Sequence, residues 1–211
     1  MLDVLGARIG TLLAQPVVVF FLAGLLALLL WCFYIRRVRM KLHVLITASL
    51  MLALTLLLSE IQLYHFPQGG GVTLGSMVPL ILLTRCFGAE VGVLAGFLYG
   101  LIHILQDPFL LHPVQVLFDY PLPYMTVGLA ALLPKHLLLS VILFFTGKFL
   151  CHFISGAAFF ASYAPEGTSP ILYSLTVNLS LQVPECIICC ILLKLLPTER
   201  LLSAMGERSL R

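Results

Sequence analysis

Gln115 and Asp119 stand four residues apart, and Lys148, His152, Gly156 and Phe160 repeat the same interval. Asn178, Gln182 and Glu185 follow at i, i+4 and i+7. On a helix each of these sets shares one face. The chemistry they could do is narrow. A carboxylate, an imidazole and an amide can hold the donor edge or the positive charge of a small polar ligand. Tyr120, Phe160 and Tyr173 add aromatic faces against which a flat ring can lie. Gly156, between a His and a Phe, either leaves room for such a ring to approach the backbone or lets a second helix pack closely. Asp119 and His152 are also the pair that a general acid–base enzyme would use. Lys148 and Glu185 are expected to pair with each other, the alternative partner for Lys148 being Asp119.

These groups must be positioned by elements that live in oil. Of 211 residues, 61% are apolar and only 10% charged, against about 25% charged in soluble domains. The solvent is a bilayer, where a charged side chain at a helix centre costs about 2.5–3.5 kcal/mol. Seven apolar runs are long enough, or nearly so, to span it. They cover 15–35, 42–63, 72–84, 91–106, 113–133, 136–163 and 169–196. The fifth is broken by Pro121 and Pro123, which remove backbone donors and free the carbonyls of Leu117 and Asp119. Irregular backbone at membrane depth is tolerated where it lines a cavity, so Asp119 reads as ligand-binding. The expected fold is an all-α integral membrane protein. Residues 1–41 form an N-terminal transmembrane helix with a basic loop, and 42–211 form a six-helix binding domain.

Arg36, Arg37, Arg39 and Lys41 follow the first run; Arg85, Lys135, and Lys194 with Arg200, Arg208 and Arg211 fall on alternate connections. The other connections offer Asp107 and Glu166 without a Lys or Arg. This asymmetry predicts a cytoplasmic C-terminus and an outer N-terminus, with Arg8 on the outer tail. The pocket then faces outward, under loops holding Gly69, Gly70 and Gly71 and Pro165, Glu166 and Gly167. A cleaved signal peptide is the rival reading of the first run; no positive segment precedes it and no small-residue cleavage site follows. The net charge of +3 is topological and implies no nucleic-acid partner. Gly147-Lys148 lacks the remainder of a phosphate loop. Cys186, Cys189 and Cys190 are half a zinc site without a second half, and read as core thiols. No zinc-protease or serine-elbow motif occurs. The sequence therefore calls for no metal and no cofactor, and any ATP-driven work belongs to a partner.

The stretch Phe66-Pro-Gln-Gly-Gly-Gly-Val-Thr-Leu and then His112-Pro-Val-Gln-Val-Leu-Phe-Asp-Tyr-Pro121 resemble the thiamine-binding membrane subunit of energy-coupling-factor transporters. So do His152-Phe-Ile-Ser-Gly-Ala-Ala-Phe-Phe160, Tyr163-Ala-Pro-Glu-Gly167, and Tyr173-Ser-Leu-Thr-Val-Asn178 with Pro184-Glu185. Order and spacing agree from about Leu42 to Leu196. The resemblance implies a six-helix S component that takes thiamine from outside and works with a transmembrane coupling subunit and two ATPase subunits. It implies that Asp119 holds the aminopyrimidine, that Tyr120, His152, Tyr173 and Asn178 occupy other binding positions, and that Phe160 stacks on the ligand. Some members have Trp at the positions of Phe160 and Gly70, and Glu at that of Asp119. The small pair Ser49 and Ala53 stands close to where the family meets the coupling subunit; packing within the chain is the alternative. Two further readings stay open: a carrier for a thiamine precursor or another aromatic vitamin, and an intramembrane enzyme using His152 and Asp119.

Overall fold

The computed structural model describes residues 40–66 and 69–206. The expected first span, 15–35, and the basic residues up to Arg39 lie outside the described residues, as do Arg208 and Arg211.

Helix α1 (Leu42–Ser59) is apolar along its length, and Thr55 and Ser59 are its buried residues, which makes it peripheral. Its hydroxyls bond backward along the helix. Thr47 donates to the His43 carbonyl at 2.8 Å, Thr55 to Met51 at 2.9 Å and Ser59 to Leu56 at 2.7 Å. Such bonds let a polar side chain sit in an apolar helix. A two-stranded antiparallel hairpin follows, β1 (Gln62–His65) and β2 (Gly71–Thr73), with Tyr64 opposite Val72 and His65 opposite Gly71. Helix α2 (Val78–Phe87) is short, and Gly88, at φ 93°, turns the chain into α3 (Ala89–Gln106). That φ lies where glycine alone is unstrained.

The fifth run breaks where its prolines require. Helix α4 (Pro113–Asp119) ends two residues before Pro121, α5 (Pro121–Met125) restarts there, and a 3-10 helix (Thr126–Leu132) follows. Helix α6 (Leu137–Phe159) is followed by a 3-10 turn, Ala161–Tyr163. Helix α7 (Pro170–Leu195) begins with proline in its first turn and Ser169 as N-cap, whose hydroxyl accepts from Leu172 N at 3.2 Å. A short α8 (Thr198–Ala204) closes the described chain. Among the described residues α1, α3, α6 and α7 are long and apolar enough to cross a membrane, and α2 is a shorter apolar helix.

Two expected boundaries are corrected. The run 42–63 is not one helix, since its last residues form β1; the run 72–84 opens as β2 and becomes helical only at Val78. Glycines cause this. Gly69 and Gly70, at φ 84° and 82°, reverse the chain, and a Cβ on Gly71 would stand 2.6 Å from the Tyr64 carbonyl oxygen.

The packed interior lies among α2, α3, α5, α6 and α7, with Leu80, Ile81, Tyr99, Phe144 and Cys189 sealed from solvent. Helix α3 presents Gly96 and Gly100, one turn apart, to the broken segment. A Cβ on Gly96 would lie 2.2 Å from the Tyr124 carbonyl oxygen, and one on Gly100 2.4 Å from that of Tyr120. Small residues let helix backbones approach this closely in lipid. The approach fixes the α4–α5 break, and with it Asp119 and Tyr120.

Candidate functional site

A cavity of about 140 Å³ opens between the hairpin, the α4–α5 break and the facing halves of α6 and α7. All eight residues expected to bind a ligand line it: Gln115, Asp119, Tyr120, His152, Gly156, Phe160, Tyr173 and Asn178.

Asp119 is the centre. One carboxylate oxygen accepts from Gln115 Nε2 at 2.7 Å, and the other faces His152 Nδ1 at 3.2 Å. With its proton on Nδ1 the imidazole donates to the carboxylate. Asp119 and His152 are each partly open to the cavity, with side chains 16% and 17% exposed, so a ligand can reach both. Gln115 is buried and fully engaged. Its Oε1 accepts from Leu111 N at 2.9 Å, and its Nε2 also donates to the Phe109 carbonyl at 2.9 Å. It orients the carboxylate. Tyr120 likewise holds the backbone: its hydroxyl donates to the Asp107 carbonyl and accepts from Phe109 N, both at 2.7 Å.

Across the cavity, Asn178 Nδ2 donates to the Ser174 carbonyl at 2.9 Å and approaches the His152 carbonyl at 3.3 Å. The space at Gly156 is taken by α7: a Cβ there would meet Ser174 Oγ at 2.4 Å. Ser174 donates in turn to the Phe153 carbonyl at 2.8 Å. Gly156 therefore serves close packing of α6 on α7, while its backbone still borders the cavity. Phe160 ends α6 and stacks on Phe109, with centroids 5.6 Å apart and planes at 22°. Tyr163 leans on both rings.

The floor is an ion pair. Lys148 Nζ lies 2.7 Å from Glu185 Oε2, both side chains being buried. Thr73 Oγ1 donates to Glu185 Oε1 at 2.8 Å, which ties β2 to α7. The pairing expected from sequence is the one found, and it leaves Asp119 to His152 and Gln115. Breaking such a pair by removing one partner costs about 3–5 kcal/mol.

Several lining residues were not expected. Phe109 belongs to the loop between α3 and α4. Asp107, from the same loop, accepts from Gly70 N at 3.0 Å and so tethers the hairpin tip. His103 stacks on Tyr99 at 5.3 Å, inside α3. The Asp107 charge stood out in the sequence; nothing in the spacing placed it beside Gly70. Ser49 and Ala53 lie away from the cavity, on an exposed stretch of α1.

The arrangement is suited to a flat, donor-bearing ligand: one carboxylate held rigidly from two sides, an imidazole beside it, and aromatic rings at the rim. Burying that carboxylate is tolerable because it is hydrogen-bonded. A cation or an N–H edge adds to the same bonds.

Residues 45–203 match the sequence model of a family described as Thiamine transporter protein. The thiamine transporter ThiT of Bacillus subtilis (strain 168) is 38% identical over 147 residues, covering 62% of this chain and 76% of that protein. The ThiT of Lacticaseibacillus paracasei is 27% identical over 122 residues, or 48% of this chain and 61% of that one. A solved structure of ThiT from Listeria monocytogenes has the same fold, at a TM-score of 0.66 and 20% identity, over 76% of this chain and 93% of the other. The chain is an all-α, multi-pass membrane protein, and with the family match running through α1 to α8 it belongs to the thiamine transporter family.

Proposed function

We propose that this chain captures thiamine at the outer face of the cell membrane, as the substrate-binding S component of an energy-coupling-factor transporter. Import follows when it engages a transmembrane coupling subunit and two ATPase subunits. The N-terminus is outside and the C-terminus cytoplasmic, as the Lys and Arg distribution requires. The chain itself carries out no covalent chemistry.

The observation that carries this reading is the state of Asp119. Its two oxygens are held by Gln115 and His152 at the wall of an aromatic-rimmed cavity, in a chain of the thiamine transporter family. An aminopyrimidine supplies N–H donors to such a carboxylate. A thiazolium supplies a positive charge to the aromatic faces. In this reading Asp119, Tyr120, His152, Tyr173 and Asn178 border the ligand and Phe160 stacks on it, while Gln115 and Gly156 shape the site. The enzyme reading has less support, because the family to which the chain belongs is one of transporters. Ser49 and Ala53, exposed on α1, form the partner face.

Equilibrium binding of radiolabelled thiamine to the detergent-purified protein tests the proposal. Saturable binding of one thiamine per chain, competed by excess unlabelled thiamine, is expected. Absence of saturable binding, or stronger competition by a pyrimidine precursor than by thiamine, would reject it.

A further inference from the structure

Helix α7 turns three amides and acids toward the interior, at Asn178, Gln182 and Glu185. The first and last have partners. Asn178 donates to Ser174, and Glu185 is held by Lys148 and Thr73. Gln182, between them, lines the same cavity and is 7% exposed. Its Oε1 is sealed from solvent and meets no donor. Ser155 Oγ shares that condition, but Ser155 does not border the cavity.

A buried acceptor without a donor carries a standing penalty, and each instance in a folded protein calls for an explanation. Its neighbours Leu181 and Val183 are apolar, so the same helix accommodates apolar side chains readily. Nothing polar fixes the oxygen of Gln182 where it stands. The terminal torsion of a carboxamide is broad, so the group can turn toward a donor that arrives in the cavity. A neutral acceptor suits this place. The Lys148–Glu185 pair one turn further along α7 is already balanced, and a second carboxylate beside Glu185 would repel it.

We propose that Gln182 is a ligand-contacting residue whose carboxamide oxygen accepts a hydrogen bond from a neutral donor of bound thiamine, an inference that rests on the thiamine-capture reading above. Thiamine has two such donors, the exocyclic amine of the pyrimidine and the side-chain hydroxyl. Loss of the acceptor leaves that donor without its partner, so the contact contributes to selectivity as well as affinity.

The test uses the full-length purified protein and calorimetric titration with thiamine, with thermal unfolding of the ligand-free protein alongside. Gln182→Met keeps the volume and removes the amide. At least tenfold weaker thiamine binding is expected, with an unfolding midpoint of the empty protein equal to or above that of the wild type. Two analogues then identify the donor: thiamine lacking the hydroxyl, and thiamine whose exocyclic amine is replaced by a carbonyl oxygen. The penalty of Gln182→Met should vanish for the analogue that lacks the contacting donor. A penalty of equal size for thiamine and both analogues would mean altered packing and overturn the assignment, even if the variant is less stable. Wild-type affinity in Gln182→Met would overturn it outright. Failure of the wild-type protein itself to bind thiamine removes the capture reading and this inference together, whereas binding by the wild type matched by the variant removes this one alone.

Discussion

At the scale of the residue, Asp119 is held by two donors that come from different elements. Gln115 lies one turn away on α4, and His152 reaches across from α6. Asp119→Asn keeps the shape and removes the charge, and its amide nitrogen would confront the donors of Gln115 or His152. Truncating one side of a buried charged hydrogen bond costs about 2–5 kcal/mol. Thiamine should therefore bind at least tenfold more weakly to Asp119→Asn, with expression and membrane insertion unchanged, as measured by equilibrium binding. Unchanged affinity would take Asp119 out of the site. The i, i+4 spacing made Gln115 and Asp119 legible as neighbours, and buried opposite charges made Lys148 and Glu185 legible as partners. The contact between Asp119 and His152 spans 33 residues of sequence, and no local period encodes it. Phe109 was hidden for a related reason. It sits in a loop, where no periodicity marks which way a ring points.

At the scale of the element, the backbone contact between α3 and the α4–α5 break does the positioning. Gly100→Ala would put a methyl group 2.4 Å from the Tyr120 carbonyl oxygen, which is backbone and cannot swing aside. The break must then move, and Asp119 and Tyr120 move with it. Overpacking of this kind costs about 1–3 kcal/mol. Gly100→Ala should lower the thermal unfolding midpoint in detergent and weaken thiamine binding severalfold. A variant with wild-type midpoint and affinity would show that the contact can relax freely. The glycines of α3 were not singled out by the sequence, because the surface they face is set only by the fold. The helices themselves were legible because length and apolarity are enough to identify a span. The hairpin was missed because Ile61 and Leu63 carry the apolar run of α1 past Glu60, and a short apolar run reads equally as strand or helix.

At the scale of the whole molecule, α1 lies at the edge of the described bundle, with Val44, Ala48, Met51, Leu52 and Leu56 packed against the core. Among the described residues, Ser49 and Ala53 of α1 are exposed. Small residues at a lipid-facing position favour close approach by another helix. Ala53→Trp should prevent co-purification with the coupling subunit and abolish cellular thiamine uptake, while the isolated protein keeps its affinity. Loss of binding in the isolated variant would instead place the effect inside the bundle. The hairpin above the cavity has one more consequence. Its root is secured through Thr73 to a buried ion pair, whereas its tip is held through Gly70 by the Asp107 side chain. The two ties are unequal in kind: losing the Asp107 contact frees a loop over the cavity, whereas losing the Thr73 contact leaves a buried carboxylate short of a donor.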